Sequence, residues 1–187
     1  MTDSITLGKL TFNRAKDNLE LLAKPVSDFI INSNFNEYLD EIYVSSIDPG
    51  FADTAEFCDF YDIGLDISAN TIVVQAKRAD KKWNAMCNIL ANTRADINKT
   101  IRKQLGAKSA SFASMDFAVD TTGMEYGGIG PIGAPLDWEL IIDSRVLEKE
   151  FVVIGSGIRA SKIAISPKLL AELPNTVVLD NAAMIID

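Results

Sequence analysis

The stretch TTGMEYGGIGPIGAP, residues 121–135, constrains the fold of this chain more than any other segment. Four of its glycines lie around Pro131, in a chain of 187 residues that has only 11 glycines: Gly127, Gly128, Gly130 and Gly133. Glycine loses much backbone entropy on folding and offers no side chain for packing, so neither helix nor strand favours this composition. The segment predicts a loop whose main chain another group approaches closely.

Composition places the chain among globular domains. Hydrophobic residues make up 48% of it, enough to bury a sizeable core. No apolar run is long enough to span a bilayer, and the N-terminus lacks the pattern of a secretory signal. Two cysteines, Cys58 and Cys87, do not make a disulfide framework. We therefore expect a cytoplasmic protein with reduced thiols and no membrane contact.

The chain contains no histidine. This excludes the Ser-His and Cys-His nucleophile pairs and removes the commonest metal ligand. We therefore expect neither a metal site nor a cofactor. Any chemistry has to use carboxylates, lysine, hydroxyls, amides, backbone groups or the substrate itself.

Charge is unevenly distributed along the chain. The net charge is −8, yet residues 77–108 contain nine basic residues and only two acidic ones. Such a segregated charge can bind phosphates. The candidate contacts to nucleic acid are Lys77, Arg78, Lys81, Lys82, Arg102 and Lys103. A solvated hairpin and helix would leave the same pattern, so that alternative stays open.

The first 50 residues predict an N-terminal helical extension. Apolar residues recur at three- and four-residue steps through residues 9–33, which makes one apolar face. Pro25 lies inside this pattern and should kink the helix or start a second one, because it lacks an amide proton. We therefore divide the chain into a helical extension, residues 1–50, and a domain formed by residues 51–187.

The remaining sequence contains more strand-like than helical segments. The strand-like segments are 41–47, 70–76, 83–91, 109–113, 138–143, 150–155, 162–166 and 175–180. Helix starts are predicted at Asp53, Thr93 and Ser166. Because many connections are short, we predict an α+β domain with a mixed, strongly curved, barrel-like β-sheet flanked by helices.

The glycine loop matches neither common phosphate-binding fingerprint. GGIGPIG lacks the G-x-G-x-x-G spacing that precedes a helix, and no Lys-Ser or Lys-Thr pair follows it. A loop of this kind is often only a structural turn. Binding residues, however, favour loops on rigid scaffolds, so the composition alone leaves both interpretations open.

The segment TGMEYGGIGPIG resembles the signature loop of the YbaK/ProX family, the aminoacyl-tRNA editing domains that hydrolyse mischarged tRNA. Family members typically read T-G-(x)3-G-G-(x)2-P-(x)-G here, and the matching positions are Thr122, Gly123, Gly127, Gly128, Pro131 and Gly133. LGAKSASFAS before the loop and FVVIGSGIRASKIAISPKLL after it also resemble the family. The order and spacing hold from about Thr54 to the C-terminus.

The resemblance implies a pocket for an aminoacyl ester. The backbone amides of Gly127, Gly128 and Gly130 would face the carbonyl oxygen, and each such donor can lower a hydrolytic barrier by about 3–4 kcal/mol. Water would attack, with help from the ribose hydroxyl beside the ester, and a small pocket would exclude large amino acids. Further substrate contacts are expected from Thr122, Gly123, Pro131, Gly133, Ser156 and Arg159.

Two departures from the family pattern concern charge. Family members generally carry a lysine near the start of the strand ANTIVV, where this chain has Asn70. Asparagine forms hydrogen bonds but brings no charge. The later turn keeps Arg159 and places Lys162 where an acidic residue is usual. We expect Asn70 at the catalytic site and hypothesise that Lys162 supplies the missing cation.

The leading interpretation is a free-standing aminoacyl-tRNA deacylase. It would bind the acceptor end of a tRNA that carries a wrong, small amino acid, with an aminoacyl-tRNA synthetase as a further candidate partner. The alternative is a non-catalytic member of the same fold that binds an aminoacyl-like ligand or a protein. Asn70 favours the alternative and the glycine loop favours the enzyme. The amino acid, the tRNA and the oligomeric state stay open.

Overall fold

The computed structural model describes residues 3–186 as strands in three sheets with helices between them; Met1, Thr2 and Asp187 lie outside the described residues. The strands are β1 (Ser4–Leu7), β2 (Leu10–Arg14), β3 (Ile42–Ser46), β4 (Ala69–Arg78), β5 (Lys81–Leu90), β6 (Thr93–Ala95), β7 (Ser109–Phe112), β8 (Glu139–Asp143), β9 (Val152–Gly155), β10 (Ser161–Ile165), β11 (Thr176–Leu179) and β12 (Ala183–Ile185). The α-helices are α1 (Lys24–Asn32), α2 (Thr54–Tyr61), α3 (Arg102–Gln104), which continues a π-helix (Ile97–Ile101), α4 (Met115–Thr122) and α5 (Pro167–Ala171). Short 3₁₀ helices are Ala15–Asp17, Leu19–Leu21, Asn34–Tyr38, Pro49–Phe51 and Ser144–Glu148.

Two five-stranded sheets form the body of the fold. The first has the order β1-β2-β3-β10-β9, and the second has the order β11-β8-β5-β4-β7. The second sheet is mixed, because β8 runs parallel to both β5 and β11. The sheets meet where Ser68 bridges Val153, whose N–H donates to the Ile67 carbonyl at 2.8 Å. This junction curves the sheets around one another and confirms the predicted mixed, strongly curved α+β fold.

The predicted N-terminal helix is wrong over its first part. β1 and β2 form an antiparallel hairpin instead. Leu10 and Phe12 are buried and alternate with exposed residues, which is the period of a strand rather than of a helix. Pro25 occupies the first turn of α1, so the alternative in which it starts a helix is confirmed.

The N-terminal segment shares a hydrophobic core with the rest of the chain. β3 pairs with β10 inside the first sheet, with Val44 opposite Ile163. Val26 and Ile30 on one side of α1 pack in the same buried cluster as Ile154. The division of the chain at residue 50 stays a prediction. Residues on both sides of that position contribute to the same hydrophobic core. Among residues 3–186, no helix has the length and apolar character needed to cross a membrane.

Several element boundaries differ from the predicted ones. Thr93 does not cap the following helix but lies in β6, and Asp96 caps it by accepting the Thr100 N–H at 3.1 Å. Asp53 precedes α2 as predicted, but its side chain makes no capping hydrogen bond. No pattern noted above predicts α4, which begins after Ser114. The β4–β5 hairpin and the strand at 109–112 are confirmed.

Candidate active site

A cavity of about 440 Å³ lies where the two sheets meet. The β4 wall consists of residues 69–72, at the beginning of β4. The β10 wall faces it and consists of Lys162, Gly155 and the loop residues 126–129 apart from Gly128. The first turn of α2 closes the space between the two walls.

Lys162 is the buried cation of this cavity, with only 8% of its surface exposed. Its Nζ donates to the carbonyls of Ala52 at 2.9 Å and Gly127 at 3.0 Å. It pairs across the ladder with Gly155, which has no side chain to occupy the space beside the lysine stem. Burial, assisted by the charge of Arg159, lowers the pKa of Lys162 to about 8. An ammonium has three N–H donors, so one is left for a ligand.

Asn70 lies on the opposite wall and is held by neighbouring side chains. Its Oδ1 accepts the Thr54 hydroxyl at 2.6 Å. The amide of buried Asn88 donates to the Asn70 carbonyl at 3.3 Å and to the Thr71 hydroxyl at 3.1 Å. These bonds leave the Asn70 amide N–H groups without a partner among the described residues. The β4 wall therefore offers neutral donors and no charge.

Arg159 joins three segments at the rim of the cavity. Its guanidinium makes a bidentate pair with Asp53, at 3.0 and 3.1 Å, and Nε donates to the Pro49 carbonyl at 2.9 Å. Its backbone N–H donates to Glu125 at 2.6 Å. The hydrogen bonds from Arg159 lower the pKa of the Asp53 carboxyl. Both carboxylate oxygens accept from the guanidinium, and neither accepts from an N–H group of α2. The arrangement holds the rim in position.

The glycines of the loop serve two different purposes. Gly127 lines the cavity with a positive φ of 77°. Gly128 and Gly130 face the turn between β9 and β10 instead: a Cβ at Gly128 would lie 2.5 Å from the Ile158 backbone, and one at Gly130 would collide with the Gly155 carbonyl. The close approach predicted for this loop is thus mainly the approach of other protein backbone.

The comparison with known families decides the assignment. Residues 48–173 match the family model described as the aminoacyl-tRNA editing domain. The chain belongs to this family. The match covers more than half of the chain and contains both walls of the cavity.

Solved structures agree with this editing domain in fold. A protein proposed to be a trans-editing enzyme for prolyl-tRNA synthetase superposes with a TM-score of 0.70 at 16% identity, over 84% of this chain and 94% of that one. Another, named only as a hypothetical protein, gives a TM-score of 0.68 at 20% identity, over 79% and 98% of the two chains. At such identities the likeness shows the fold alone.

None of the six predicted substrate contacts of the editing domain lines the cavity: Thr122, Gly123, Pro131, Gly133, Ser156 and Arg159. Thr122 donates to the Ala118 carbonyl at 2.7 Å, and Gly123 ends α4 with a φ of 66°. A Cβ at Gly133 would lie 2.5 Å from the Pro25 carbonyl. These residues hold the loop against its neighbours, and their direct contact with a ligand stays a prediction.

The predicted nucleic-acid contacts lie together but away from the cavity. We call them the basic end: Lys77, Arg78, Lys81, Lys82, Arg102 and Lys103. The first four lie at the exposed tip of the β4–β5 hairpin. Arg78 donates to the Gly106 carbonyl at 3.3 Å, which brings the end of α3 beside the tip. Because Asn70 and Arg78 are eight residues apart on β4, roughly 26 Å separates Asn70 from the tip.

The predicted site contains only three of the residues that line the cavity, Asn70, Gly127 and Lys162; the lining residues it missed include Arg94 of β6, Phe112 of β7 and Tyr126 of the loop. Tyr126 stands inside the signature loop, so its position in the sequence is a usable signal. Arg94 and Phe112 reach the cavity only through the pairing of distant segments. Within residues 3–186, no three His, Cys, Asp or Glu side chains are arranged to hold a metal ion.

Proposed function

We propose that this editing domain hydrolyses the ester of a tRNA charged with a wrong, small amino acid. The observation that carries the proposal is the β10 wall, which combines a buried cation with free backbone donors. Gly127 and Ile129 line the cavity, and their N–H groups donate to no other described residue. Backbone donors and a cation beside the same cavity are suited to stabilise a developing oxyanion.

The proposed reaction uses these groups as follows. The aminoacyl carbonyl oxygen faces the N–H groups of Gly127 and Ile129, with the Lys162 ammonium beside them. Water adds to the carbonyl carbon, and negative charge develops on the oxygen that these donors contact. The ester C–O bond then breaks, and the ribose oxygen leaves with a proton. The products are a free amino acid and a tRNA with a free terminal hydroxyl, and the ribose hydroxyl beside the ester is available to orient the water.

The size of the cavity supports a small aminoacyl group. Its volume of about 440 Å³ has to contain the terminal ribose as well as the amino acid. Exclusion of large side chains is an effective basis for editing, because a pocket rejects what does not fit far better than it rejects what is too small. The fold neighbour proposed to edit for prolyl-tRNA synthetase makes tRNA(Pro) the first substrate to test and that synthetase the first partner. Such a substrate is also consistent with the predicted cytoplasmic location.

A second candidate function is binding of an aminoacyl-like ligand without hydrolysis. Asn70 favours it, since this residue brings hydrogen bonds but no charge to the β4 wall. In addition, two of the three N–H groups of the Lys162 ammonium donate to backbone carbonyls, which leaves one for a ligand. A pocket of this kind could retain a ligand and have lost the catalytic step.

Deacylation assays on a panel of charged tRNAs separate the two functions. We expect the protein to release at least one small noncognate amino acid, with tRNA(Pro) charged with alanine or cysteine tested first. Lys162→Met should lower the rate at least about tenfold, because it removes the cation nearest the oxyanion. Lys149→Met, which alters a surface lysine paired with Asp66 at 3.1 Å, is the matched control and should keep full activity. Hydrolysis of none of the charged tRNAs, together with retained binding of a non-hydrolysable aminoacyl-adenosine analogue, would favour the second function.

A further inference from the structure

β7 connects the cavity to the basic end along one edge of the second sheet. It pairs with β4 and forms the outer strand of that sheet. At one end of β7, Phe112 lines the cavity. At the other end, Ser109 lies opposite Lys77, the first residue of the basic end. The intervening length of strand is roughly 10 Å.

Two aromatic rings at the mouth of the cavity are unusually open. Phe112 is 57% exposed and Tyr126 is 49% exposed, although both line the cavity. The Arg159 guanidinium lies 5.5 Å from the centre of the Tyr126 ring and helps to fix it. Exposed rings beside a cavity offer flat apolar faces on which nucleic-acid bases stack, whatever their sequence.

Charged residues at the two ends of β7 differ in sign, so a polyanion is attracted to one end and repelled from the other. Lys108 immediately precedes β7, and its N–H donates to the Lys77 carbonyl at 2.9 Å. Past the other end of β7, α4 carries the exposed acidic residues Asp116 and Asp120. Phosphates leaving the cavity mouth are therefore attracted toward the hairpin and repelled from α4.

The polar groups along β7 suit the same ligand. Ser109 and Ser111 are exposed at this edge of the sheet, on the face of β7 opposite to Phe112. An outer strand also presents main-chain N–H groups that no neighbouring strand engages. Hydroxyls and backbone N–H groups are common partners of phosphate oxygens.

We propose that the β7 edge is a binding track for the single-stranded 3′ end of an RNA. In this track, a base next to the cavity stacks on Phe112, and the following phosphates pass along the main-chain edge of β7 toward Lys77 and Lys108. The track rests on the proposed function, because an RNA whose terminal ester lies in the cavity has to leave through the mouth of the cavity. It explains how a basic end far from the cavity can serve the same substrate.

Binding of uncharged RNA tests the track independently of hydrolysis. The probes are a fluorescent RNA hairpin with an unpaired 3′ tail of four nucleotides and the same hairpin with a blunt end, measured by anisotropy with the full chain. We expect the tail to tighten binding, and Phe112→Ala to weaken binding of the tailed RNA about tenfold while leaving the blunt RNA unchanged. Phe60→Ala is the matched control, because Phe60 is 47% exposed and lies on α2 outside the cavity.

Charge variants test the other end of the track. Lys77→Gln together with Lys108→Gln should weaken binding of both RNAs and reduce the steepness of its salt dependence. Poly-glutamate of equal charge should compete poorly, since it cannot stack on Phe112. Equal binding of tailed and blunt RNA, equal behaviour of Phe112→Ala and Phe60→Ala, or efficient competition by poly-glutamate would overturn the track.

Deacylation by the wild type, measured in parallel, keeps the two proposals apart. Hydrolysis of a charged tRNA with normal tail binding by Phe112→Ala refutes the track and leaves the proposed function. Tail binding that depends on Phe112, without hydrolysis of any charged tRNA, supports the track and refutes the proposed function. Far-ultraviolet circular dichroism of each variant checks that the fold is retained.

Discussion

The two walls of the cavity hold their polar groups by different means. On the β10 wall, main-chain carbonyls hold the charge: the Lys162 ammonium donates to Ala52 and Gly127. The glycine loop behind this wall packs its backbone against the backbone of neighbouring segments. On the β4 wall, side chains hold Asn70: the Thr54 hydroxyl donates to its Oδ1, and the Asn88 amide donates to its backbone carbonyl. The first wall carries a charge, and the second is neutral.

This difference shows where a buried cation can be accommodated. An ammonium removed from water loses hydration free energy that nearby acceptors have to replace. Lys162 has two backbone acceptors, and Gly155 opposite leaves room for its side chain. The β4 wall lacks such an arrangement around Asn70. We infer that the tightly built wall is rigid and sensitive to substitution, whereas the other wall tolerates change.

The largest effect is expected from Gly130→Ala, in the loop that packs behind the β10 wall. The new Cβ would collide with the Gly155 carbonyl, and neither backbone can move without displacing the loop. We expect the free energy of unfolding to fall by about 3 kcal/mol or more. Urea denaturation measures this loss, with Gly50→Ala as control, because its Cβ would meet only the Asp48 side chain, at 3.2 Å. Similar stabilities for the two variants would refute the close packing of this loop against β9.

The next effect concerns the pH dependence of stability. The pKa of Lys162 is lowered from 10.5 to about 8 by burial, so the folded state loses this proton before the unfolded state does. The unfolded chain then binds more protons between about pH 8 and 10.5, and stability rises with pH in that window by an amount of order a few kcal/mol. Lys162→Met should lack this rise.

Urea denaturation of wild type and Lys162→Met at a series of pH values isolates the contribution of this lysine, since all other groups are shared. Deacylation should respond in the opposite sense. Loss of the ammonium as pH passes about 8 should lower the enzymatic rate, after subtraction of spontaneous ester hydrolysis. Parallel stability profiles for the two proteins would show that Lys162 is not buried as a cation.

A smaller effect tests whether the two walls are interchangeable. Asn70→Lys in the Lys162→Met background places a lysine on the β4 wall in exchange for the neutral side chain. If the cation may approach the ester from either side, the rate should recover about tenfold, which corresponds to about 1.4 kcal/mol of transition-state stabilisation. Asn70→Gln in the same background is the control that adds length without charge. Equal rates for the two double variants would assign a specific role to the position of Lys162.

The smallest effect is expected on the neutral wall. Thr54→Val removes the hydroxyl that Asn70 accepts at 2.6 Å while keeping the shape of the side chain. We expect a loss of at most about 1 kcal/mol of stability and a change in deacylation of only a few-fold. Thr11→Val, on an exposed position of β2, is the matched control. A loss as large as that of Gly130→Ala would remove the contrast between the walls.

The sequence by itself determined the family, the fold class and most strands. Strand composition, the β4–β5 hairpin and the Ser166–Pro167 helix start are local signals, because they depend on residues that are neighbours in the chain. The same local reasoning failed over residues 10–14. These residues form a strand in which buried and exposed side chains alternate. The helical spacing of apolar residues applies only to the segments that follow, including α1. Short 3₁₀ helices and α1 together account for that later spacing.

Only the tertiary structure decided which groups meet in the cavity. Lys162 becomes a buried cation because segments 110 and 35 residues away supply its two carbonyl acceptors. The glycines at 128 and 130 are required by the β9–β10 turn, which no pattern within the loop reveals. Phe112 lies at the cavity mouth because β7 pairs with β4. Burial, acceptor geometry and charge coupling depend on distances between remote segments, and a linear sequence does not contain those distances until the chain has packed.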